Sequence, residues 1–228
     1  MSIKSYAQLN EKFIQKEGFE DCFPCNIEAK LPFCKSWEDT PWSHVFLYSN
    51  CNNQIPQNPQ GFQFAHEGSS YAGVLLLRDI RHQYFKEGGN KTTFHMREYL
   101  RLKLQAPLVE GKTYSFSCYV SLSDKSAFGI GHLSIDVSQS RIKPAYKFYS
   151  SLRSSKPIPL KGKYSIDNRV DWVKIGAQFT ARGKERFITV GLFSNEIKYS
   201  YYKKLIKNSP SNTNGCFYYI DDVEIKEL

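Results

Sequence analysis

Alanine, methionine and long apolar runs are scarce in this chain of 228 residues. Alanine occurs nine times and methionine twice, so strong helix formers are in short supply. No stretch of 18 apolar residues exists, which excludes a transmembrane helix. Aromatic residues make up 15% of the chain, with 15 Tyr and 16 Phe, and they favour sheets. Because 41% of the residues are hydrophobic and 23% charged, the composition predicts a globular, strand-rich protein.

Acidic residues are also in deficit, since 22 Asp and Glu stand against 31 Lys and Arg, giving a formal net charge of +9. Part of the excess lies in one segment in which lysines and tyrosines alternate: Lys198, Tyr199, Tyr201, Tyr202, Lys203, Lys204 and Lys207. A basic, aromatic loop suits single-stranded nucleic acid, through phosphate pairing and base stacking. In an exported protein it would meet acidic polysaccharide or an anionic surface, and a solvated loop is the third interpretation. We do not expect nucleic acid as the partner.

The N-terminus contains Ser5 and Ala7 at the spacing of small residues that signal peptidase accepts. The apolar stretch that precedes such a cleavage site in a signal peptide is missing. We interpret residues 1–17 as a signal-peptide remnant and N-terminal extension, and an ordinary N-terminus is the alternative. Within it, residues 8–17 are predicted to form a short turn or helix.

The six cysteines, four of them between positions 22 and 51, fit disulfides in an exported protein. Cys34 and Cys51 bracket a loop and are predicted to form a bridge. Cys22 and Cys25 form a Cys-x-x-Cys pair without a βαβ context, so we expect neither a redox nor a zinc site there. Cys118 falls at an inward position of a predicted strand and is interpreted as a buried thiol. Export would place the protein at the cell surface, in the periplasm or outside the cell.

Alternation of apolar and polar residues dominates the rest of the chain. It predicts strands over residues 71–77, 98–105, 114–122, 132–138, 172–180, 186–193 and 216–225. The turn residues Arg182, Gly183 and Lys184 predict a tight hairpin between two of these strands. Two irregular stretches, 139–170 and 194–215, interrupt the pattern and are where binding is expected. One two-sheet β-sandwich is therefore predicted, with all strands in a domain of residues 18–228.

Several sequence blocks resemble the jelly-roll, galactose-binding-like domains of bacterial cell-surface proteins, which often precede an outer-membrane-protein-A-like domain. The blocks are Gly18-Phe19-Glu20-Asp21-Cys22, His66 with Gly68, Ser70-Tyr71-Ala72-Gly73-Val74, Arg97-Glu98-Tyr99-Leu100, Gly183-Lys184-Glu185 and Tyr219-Ile220-Asp221-Asp222-Val223. The resemblance covers about residues 18–226. It departs from the family at Glu17-Gly18, where Pro-Ser is usual. It implies an all-β, carbohydrate-binding-module-like fold, which does not by itself establish a sugar ligand.

The resemblance also implies a structural calcium ion between the first and last strands. Related carbohydrate-binding modules hold it with a Glu and an Asp that correspond to Glu20 and Asp221 here. Calcium takes six to eight hard oxygen ligands, so these carboxylates and backbone carbonyls would form the shell. Asp221 and Asp222 are adjacent in a strand and are expected to face opposite ways. The alternative is that these aspartates only cap a strand end by hydrogen bonds.

A ligand face is expected on the outward side of a sheet, where aromatic rings would stack on sugar C–H groups and polar groups would bind hydroxyls. Alternation places seven candidates outward: Arg97, Tyr99, Arg101, Tyr119, Trp172, Lys174 and Gln178. The alternative is that these residues pack beneath the long loops. Trp37 and Trp42 form a second aromatic cluster, which we expect to cover one end of the sandwich.

Catalytic motifs are missing, because no histidine pair has metal-binding spacing and no nucleophile elbow is present. The sequence therefore predicts a non-catalytic, lectin-like protein that binds glycan or acidic polysaccharide. The alternative is a structural or adaptor subunit of a surface, secretion or adhesion assembly, whose aromatic loops would bury against a protein partner.

Overall fold

A computed structural model describes residues 12–22, 34–38, 40, 43–80, 94–146, 149–193, 202–204 and 215–228. The first ten strands are β1 (Ile14–Glu17), β2 (Trp37–Glu38), β3 (Phe46–Ser49), β4 (Gln57–Asn58), β5 (Gly61–Phe62), β6 (Ser70–Ile80), β7 (Phe94–Met96), β8 (Leu100–Lys103), β9 (Thr113–Leu122) and β10 (Phe128–Ile130). The remaining strands are β11 (Ser134–Ser138), β12 (Pro144–Tyr146), β13 (Tyr149–Leu152), β14 (Ile158–Pro159), β15 (Lys161–Gly162), β16 (Val173–Thr180), β17 (Phe187–Gly191), β18 (Tyr202–Lys204) and β19 (Gly215–Glu227). A 3₁₀ turn covers Asn50–Asn52.

Two antiparallel sheets form the body of the protein. The large sheet has eight strands, in the order β15-β16-β9-β19-β6-β3, with β1 paired to β19 and β7 paired to β6. The small sheet has five strands, in the order β14-β11-β17-β8-β2. The facing sides of both sheets carry the alternating apolar residues of β9, β11, β17 and β19, all within one buried cluster. This packing confirms the predicted two-sheet jelly-roll β-sandwich.

All seven strands predicted from alternation are present, because one side of each faces the shared core. The predicted hairpin at Arg182–Lys184 is wrong. The strands on either side of this turn lie in different sheets, since β16 pairs with β9 and β17 pairs with β11 and β8. The turn therefore carries the chain from the large sheet to the small one.

The predicted short turn or helix over residues 8–17 is also wrong. Residues 14–17 form β1, which pairs in register with Val223–Lys226 of β19, and Gln15 is buried. The sandwich therefore includes these residues, while residues 1–11 lie outside the described part of the chain. No helix among the described residues is long and apolar enough to cross a membrane.

The cysteine pairing differs from the prediction. Cys22 bonds to Cys34, with Cα atoms 4.1 Å apart, so the predicted Cys34–Cys51 bridge is wrong. Cys51 is disulfide-bonded as well, and Cys25 lies outside the described residues. Cys118 is a free, buried thiol as predicted, and burial raises its pKa to about 12.

Trp37 lies in β2, the edge strand of the small sheet, and packs into the core. Its ring stacks on Phe19 at a centroid distance of 4.9 Å, and its indole N–H donates to the carbonyl of Gly18 at 2.9 Å. Trp42 lies outside the described residues. Trp37 is buried and is therefore a packing residue.

Candidate functional site

The small sheet does not expose the side chains expected on its outward side. Arg97, Tyr99 and Arg101 are only 2%, 0% and 1% exposed, so the prediction that they lie on an open face is wrong. The chain between β11 and β14 crosses this side of the sheet and covers it. Tyr99 packs with Leu152 and Phe193 in a small buried cluster.

Hydrogen bonds show that these buried side chains hold the covering segment in place. The Tyr99 hydroxyl donates to the carbonyl of Leu192 at 3.0 Å and accepts from the amide of Leu152 at 2.9 Å. Arg101 donates to the carbonyl of Ile142 at 3.3 Å, and burial lowers the pKa of its guanidinium. A ligand cannot reach these groups while the segment covers them.

The outward side of the large sheet is covered only in its centre. Tyr48, Tyr71, Phe217 and Tyr219 form a buried cluster there, with residues 55–65 packed over it. Trp172 packs against this cluster, and Tyr119 and Lys174 are paired beside it, whereas Gln178 lies farther along β16, opposite Ser115. Tyr119 and Trp172 are half-buried, and Lys174 and Gln178 are exposed. The large sheet therefore retains an accessible part of the predicted ligand face.

His66 is central to this accessible region, although the sequence analysis gave it no role. Its ring stacks on Tyr119 at a centroid distance of 3.5 Å, and its edge meets Trp172 at 6.1 Å. The ammonium of Lys174 lies 5.3 Å from the Tyr119 ring centroid, a cation–π contact. Because the His66 ring covers one side of the Tyr119 ring, that side of Tyr119 is not available for stacking on a ligand. Tyr119 instead holds His66 and Lys174 in place.

Phe62 and Phe64 complete the region and were also missed by the sequence analysis. They are 51% and 59% exposed and contact each other edge to face, at a centroid distance of 5.4 Å. Gln63 between them is buried, and its amide donates to the Ser121 hydroxyl at 2.7 Å. This segment inverts the usual burial order, because it turns its polar residue in and its aromatic residues out. We call Phe62, Phe64, His66, Tyr119, Trp172 and Lys174 the aromatic edge.

The loop that carries His66 is held by the two carboxylates predicted to bind calcium. Asp221 accepts from the amides of His66 at 2.9 Å, Glu67 at 3.2 Å and Asp222 at 2.8 Å. Glu20 accepts from the Ser69 and Ser70 amides at 3.0 and 2.9 Å and from the Ser69 hydroxyl at 2.7 Å. These hydrogen bonds agree with the alternative to a calcium site, in which the carboxylates cap the end of a strand.

Position 68 in this loop requires glycine, because its backbone passes close to the Glu20 side chain. Gly68 has φ +68°, and a Cβ there would lie 2.6 Å from a Glu20 oxygen. Both the left-handed backbone and the short contact exclude larger residues without rearrangement. The Gly68 of the resembling motif is therefore explained by its place against Glu20.

Burial gives Asp221 unusual protonation behaviour. Desolvation raises the pKa of its carboxyl to about 7, although the backbone amides of Glu67, Asp222 and His66 act in the opposite direction. The prediction that Asp221 and Asp222 face opposite ways is wrong, since both line one cavity of about 420 Å³. A bulge between Asp221 and Glu224 interrupts the pairing with β9, and Asp222 has φ +46°.

The cavity offers the type of oxygen that calcium prefers. Glu17 and Glu67 line it together with Glu20, Asp221 and Asp222. However, among the described residues no three His, Cys, Asp or Glu side chains converge as a metal site. The ligand chemistry fits a hard cation, while the hydrogen bonds alone account for the observed positions of Glu20 and Asp221.

Comparisons with known proteins identify no family. No protein-family profile matches the chain, and no curated protein is similar enough to count as a relative. Solved structures with a similar fold include the CBM22-1 xylan-binding domain of Xyn10C from Paenibacillus barcinonensis, with 12% identity, a TM-score of 0.48, and coverage of 95% of this chain and 96% of that one.

Two further structures are similar over nearly the whole chain. A cleaved adhesin domain of Lys-gingipain from Porphyromonas gingivalis has 13% identity and a TM-score of 0.43, covering 95% of this chain and 99% of that one. The Stig cyclase Fisc from Fischerella sp. TAU has 10% identity and a TM-score of 0.41, covering 98% and 92%. Identities this low leave the ligand to be inferred from the residues of this chain.

Proposed function

We propose that this protein is a non-catalytic carbohydrate-binding protein that holds a glycan against the aromatic edge of its large sheet. The observation that carries the proposal is the inverted burial of residues 62–64, which exposes two phenylalanines while a glutamine is buried. Exposed aromatic side chains grouped with polar ones are typical of a binding surface. Sugar rings suit such a surface, since their C–H groups stack on aromatic rings and their hydroxyls need polar partners.

The aromatic edge supplies both kinds of contact. Phe64 and Trp172 offer apolar surface, while the ammonium of Lys174 offers donors for hydroxyl groups. The indole N–H of Trp172 donates to the carbonyl of Phe64 at 3.0 Å, which ties these two residues together. Such preorganisation lowers the entropy lost when a ligand binds.

A glycan array followed by calorimetry with the best-bound oligosaccharide tests this function. Phe64→Ala should weaken binding by about tenfold, or about 1.4 kcal/mol, while leaving the fold intact because the side chain is exposed. Val109→Ala is the matched control, since Val109 is 55% exposed in the turn before β9. Equal affinities of both variants and the wild type would contradict the proposal.

A protein partner is the second candidate, and Val170 is the observation that favours it. Val170 is 79% exposed, and its carbonyl accepts at 3.3 Å from the side chain of Gln63, the residue between the exposed Phe62 and Phe64. A surface or secretion assembly would bury these three side chains together. A stoichiometric partner that is lost in Val170→Asp, with no glycan bound by the wild type, would favour the adaptor function.

Calcium binding at Glu20 and Asp221 is part of the proposed function as a support for the His66 loop. The ion would neutralise the acidic cavity, and its charge would keep Asp221 ionised. Calcium should then raise the melting temperature, and Asp221→Asn should remove this rise. An unchanged melting temperature after chelation and after calcium addition would contradict the calcium site.

Export also belongs to the proposal. The Cys22–Cys34 bond supports it, since disulfides persist mainly in oxidising compartments. The protein would act at the cell surface, in the periplasm or outside the cell. Fractionation of cells that express the full-length gene would test this, and recovery of reduced protein from the cytoplasm alone would contradict it.

A further inference from the structure

A second concave region lies on the same outward side of the large sheet, between β3, β6 and β7. This region, which we call the β3–β6 cleft, has a cavity of about 320 Å³. Its floor is apolar, with half-buried Leu75 and buried Phe217. Phe46 and Met96 also line it and are 46% and 37% exposed. A volume of this size is at the lower end of the range for ligand sites.

The cleft is built by contacts that fix its floor. A Cβ at Gly73 would lie 2.5 Å from Tyr48 and 2.6 Å from Phe217, so glycine is needed for these rings to pack here. The Ser126 hydroxyl accepts from the Phe217 amide at 2.8 Å and donates to its carbonyl at 3.0 Å. Phe217 is therefore held in position before any ligand arrives.

The charged side chains at the cleft differ in how they are bound within the protein. The buried Glu98 carboxylate accepts from the amides of His44 at 3.2 Å and Leu75 at 2.8 Å, so it is engaged within the protein. Arg78 and Lys125 are exposed, and within the described residues neither forms an ion pair with a carboxylate. The Lys125 ammonium donates to the carbonyl of Pro59 at 2.6 Å, which fixes it at the cleft and leaves two of its donors available.

We propose that the β3–β6 cleft binds a carboxylate-bearing sugar, a hexuronic acid unit of an acidic glycan. The ring would lie against Phe46 and the floor, and the carboxylate would be bound by Arg78 and Lys125. Charge complementarity carries the inference, because two available cations lie at an apolar cleft whose own carboxylate is already satisfied. The inference rests on the proposed carbohydrate binding and adds a second contact region with selectivity for acidic sugars.

Calorimetry with trigalacturonate and with its methyl ester tests the cleft, because esterification removes the negative charges and keeps the sugar chain. The wild type should bind the acid at least tenfold more tightly than the ester. Arg78→Gln and Lys125→Gln should each weaken binding of the acid about tenfold and leave binding of the ester unchanged. Melting temperatures of the variants within a few degrees of the wild type would show that the fold is retained.

A matched control separates the cleft from the general positive charge of the protein. Lys103→Gln removes one exposed charge from β8 of the small sheet, whereas the cleft and the aromatic edge both lie on the large sheet. It should reduce the acid-to-ester ratio by less than twofold. An equal loss in Arg78→Gln and Lys103→Gln would show non-specific attraction and would overturn the inference.

The result with neutral glycans distinguishes the two proposals. If array glycans bind and Phe64→Ala weakens them, but the acid and ester bind equally, the carbohydrate function stands and the acidic cleft is overturned. If no glycan and neither trigalacturonate probe binds, both proposals fall. Phe46→Ala should weaken the acid and the ester alike, because it removes the stacking surface and leaves the charges.

Discussion

The outward sides of the two sheets carry similar side chains but differ in access. On the small sheet, Tyr99 and Arg101 are buried beneath the segment between β11 and β14. On the large sheet, the covering residues 55–65 reach Trp172 but leave it half-buried, and Lys174 is exposed. Aromatic and basic residues on an outward side thus stabilise a covering segment in one place and remain available in another. Coverage, more than residue type, therefore decides which of these side chains a ligand can reach.

The largest expected effect concerns the covered side. Tyr99→Ala should lower the free energy of unfolding by about 3–5 kcal/mol, because it leaves a cavity beside Leu152 and Phe193. Glycan affinity of the folded protein should not change. Tyr99→Phe is the milder companion, with a loss of about 1–3 kcal/mol from two unsatisfied backbone groups. Reduced glycan affinity at unchanged stability would show instead that the covered side binds ligand.

The next effect concerns the carboxylate beneath the aromatic edge. Because the folded-state pKa of Asp221 is raised to about 7, its protonated form favours folding, and this stability is lost as pH rises from about 4 to 7. In a buffer without divalent cations, the wild type should lose about 1.4 kcal/mol per pH unit relative to Asp221→Asn across this window. Denaturant unfolding at pH 4.5, 5.5 and 6.5 measures it, and parallel stability curves for the two proteins would contradict it.

Removing the indole from the accessible side should mainly affect binding. Trp172→Ala should weaken the best array glycan by about tenfold, or about 1.4 kcal/mol, because Trp172 is half-buried beside exposed Phe64. Trp172→Phe should recover part of the affinity, since it keeps an aromatic ring but loses the N–H. Calorimetry of both variants measures the difference. Full affinity in Trp172→Ala would exclude this residue from the contact surface.

The smallest effect concerns an ion pair at the start of the covering segment. Arg141 donates to both oxygens of Glu38, at 2.6 and 2.7 Å, and this hydrogen bonding lowers the pKa of the Glu38 carboxyl. Since Arg141 is largely exposed, a double-mutant cycle with Glu38→Gln and Arg141→Gln should give a coupling below about 1 kcal/mol. Its stabilisation should disappear as pH falls through the lowered pKa of Glu38. A coupling of several kcal/mol would contradict this expectation and would make the ion pair a main contact that holds the covering segment on the small sheet.

The strands could be predicted because the alternation of apolar and polar residues indicates a local property, namely which residues of a strand face the core. Whether the opposite side is open depends on segments distant in the chain. Tyr99 and Tyr119 both occur in alternating segments, yet Tyr99 is closed off by Leu152, which lies 53 residues away in sequence. No spacing rule within a strand contains that information.

The remaining errors have local physical causes. Cys34 bonds to Cys22 and not to Cys51, because bridging depends on the folded Cα separation and not on loop length. Asp221 and Asp222 share a cavity because a bulge breaks the period of two. His66 and Phe64 were missed since their segment is irregular, although the alternation of Phe62, Gln63 and Phe64 could have drawn attention to it.

Chemical-shift mapping with the best array glycan tests most directly the proposal that a glycan binds at the aromatic edge. Nuclear magnetic resonance spectra should show the largest changes at the Trp172 indole N–H and at the amides around His66 and Lys174. The amides of Leu100–Lys103, under the covered side, should not move. Changes centred on Leu100–Lys103, with the Trp172 signal unaltered, would contradict the account and place the ligand on the small sheet.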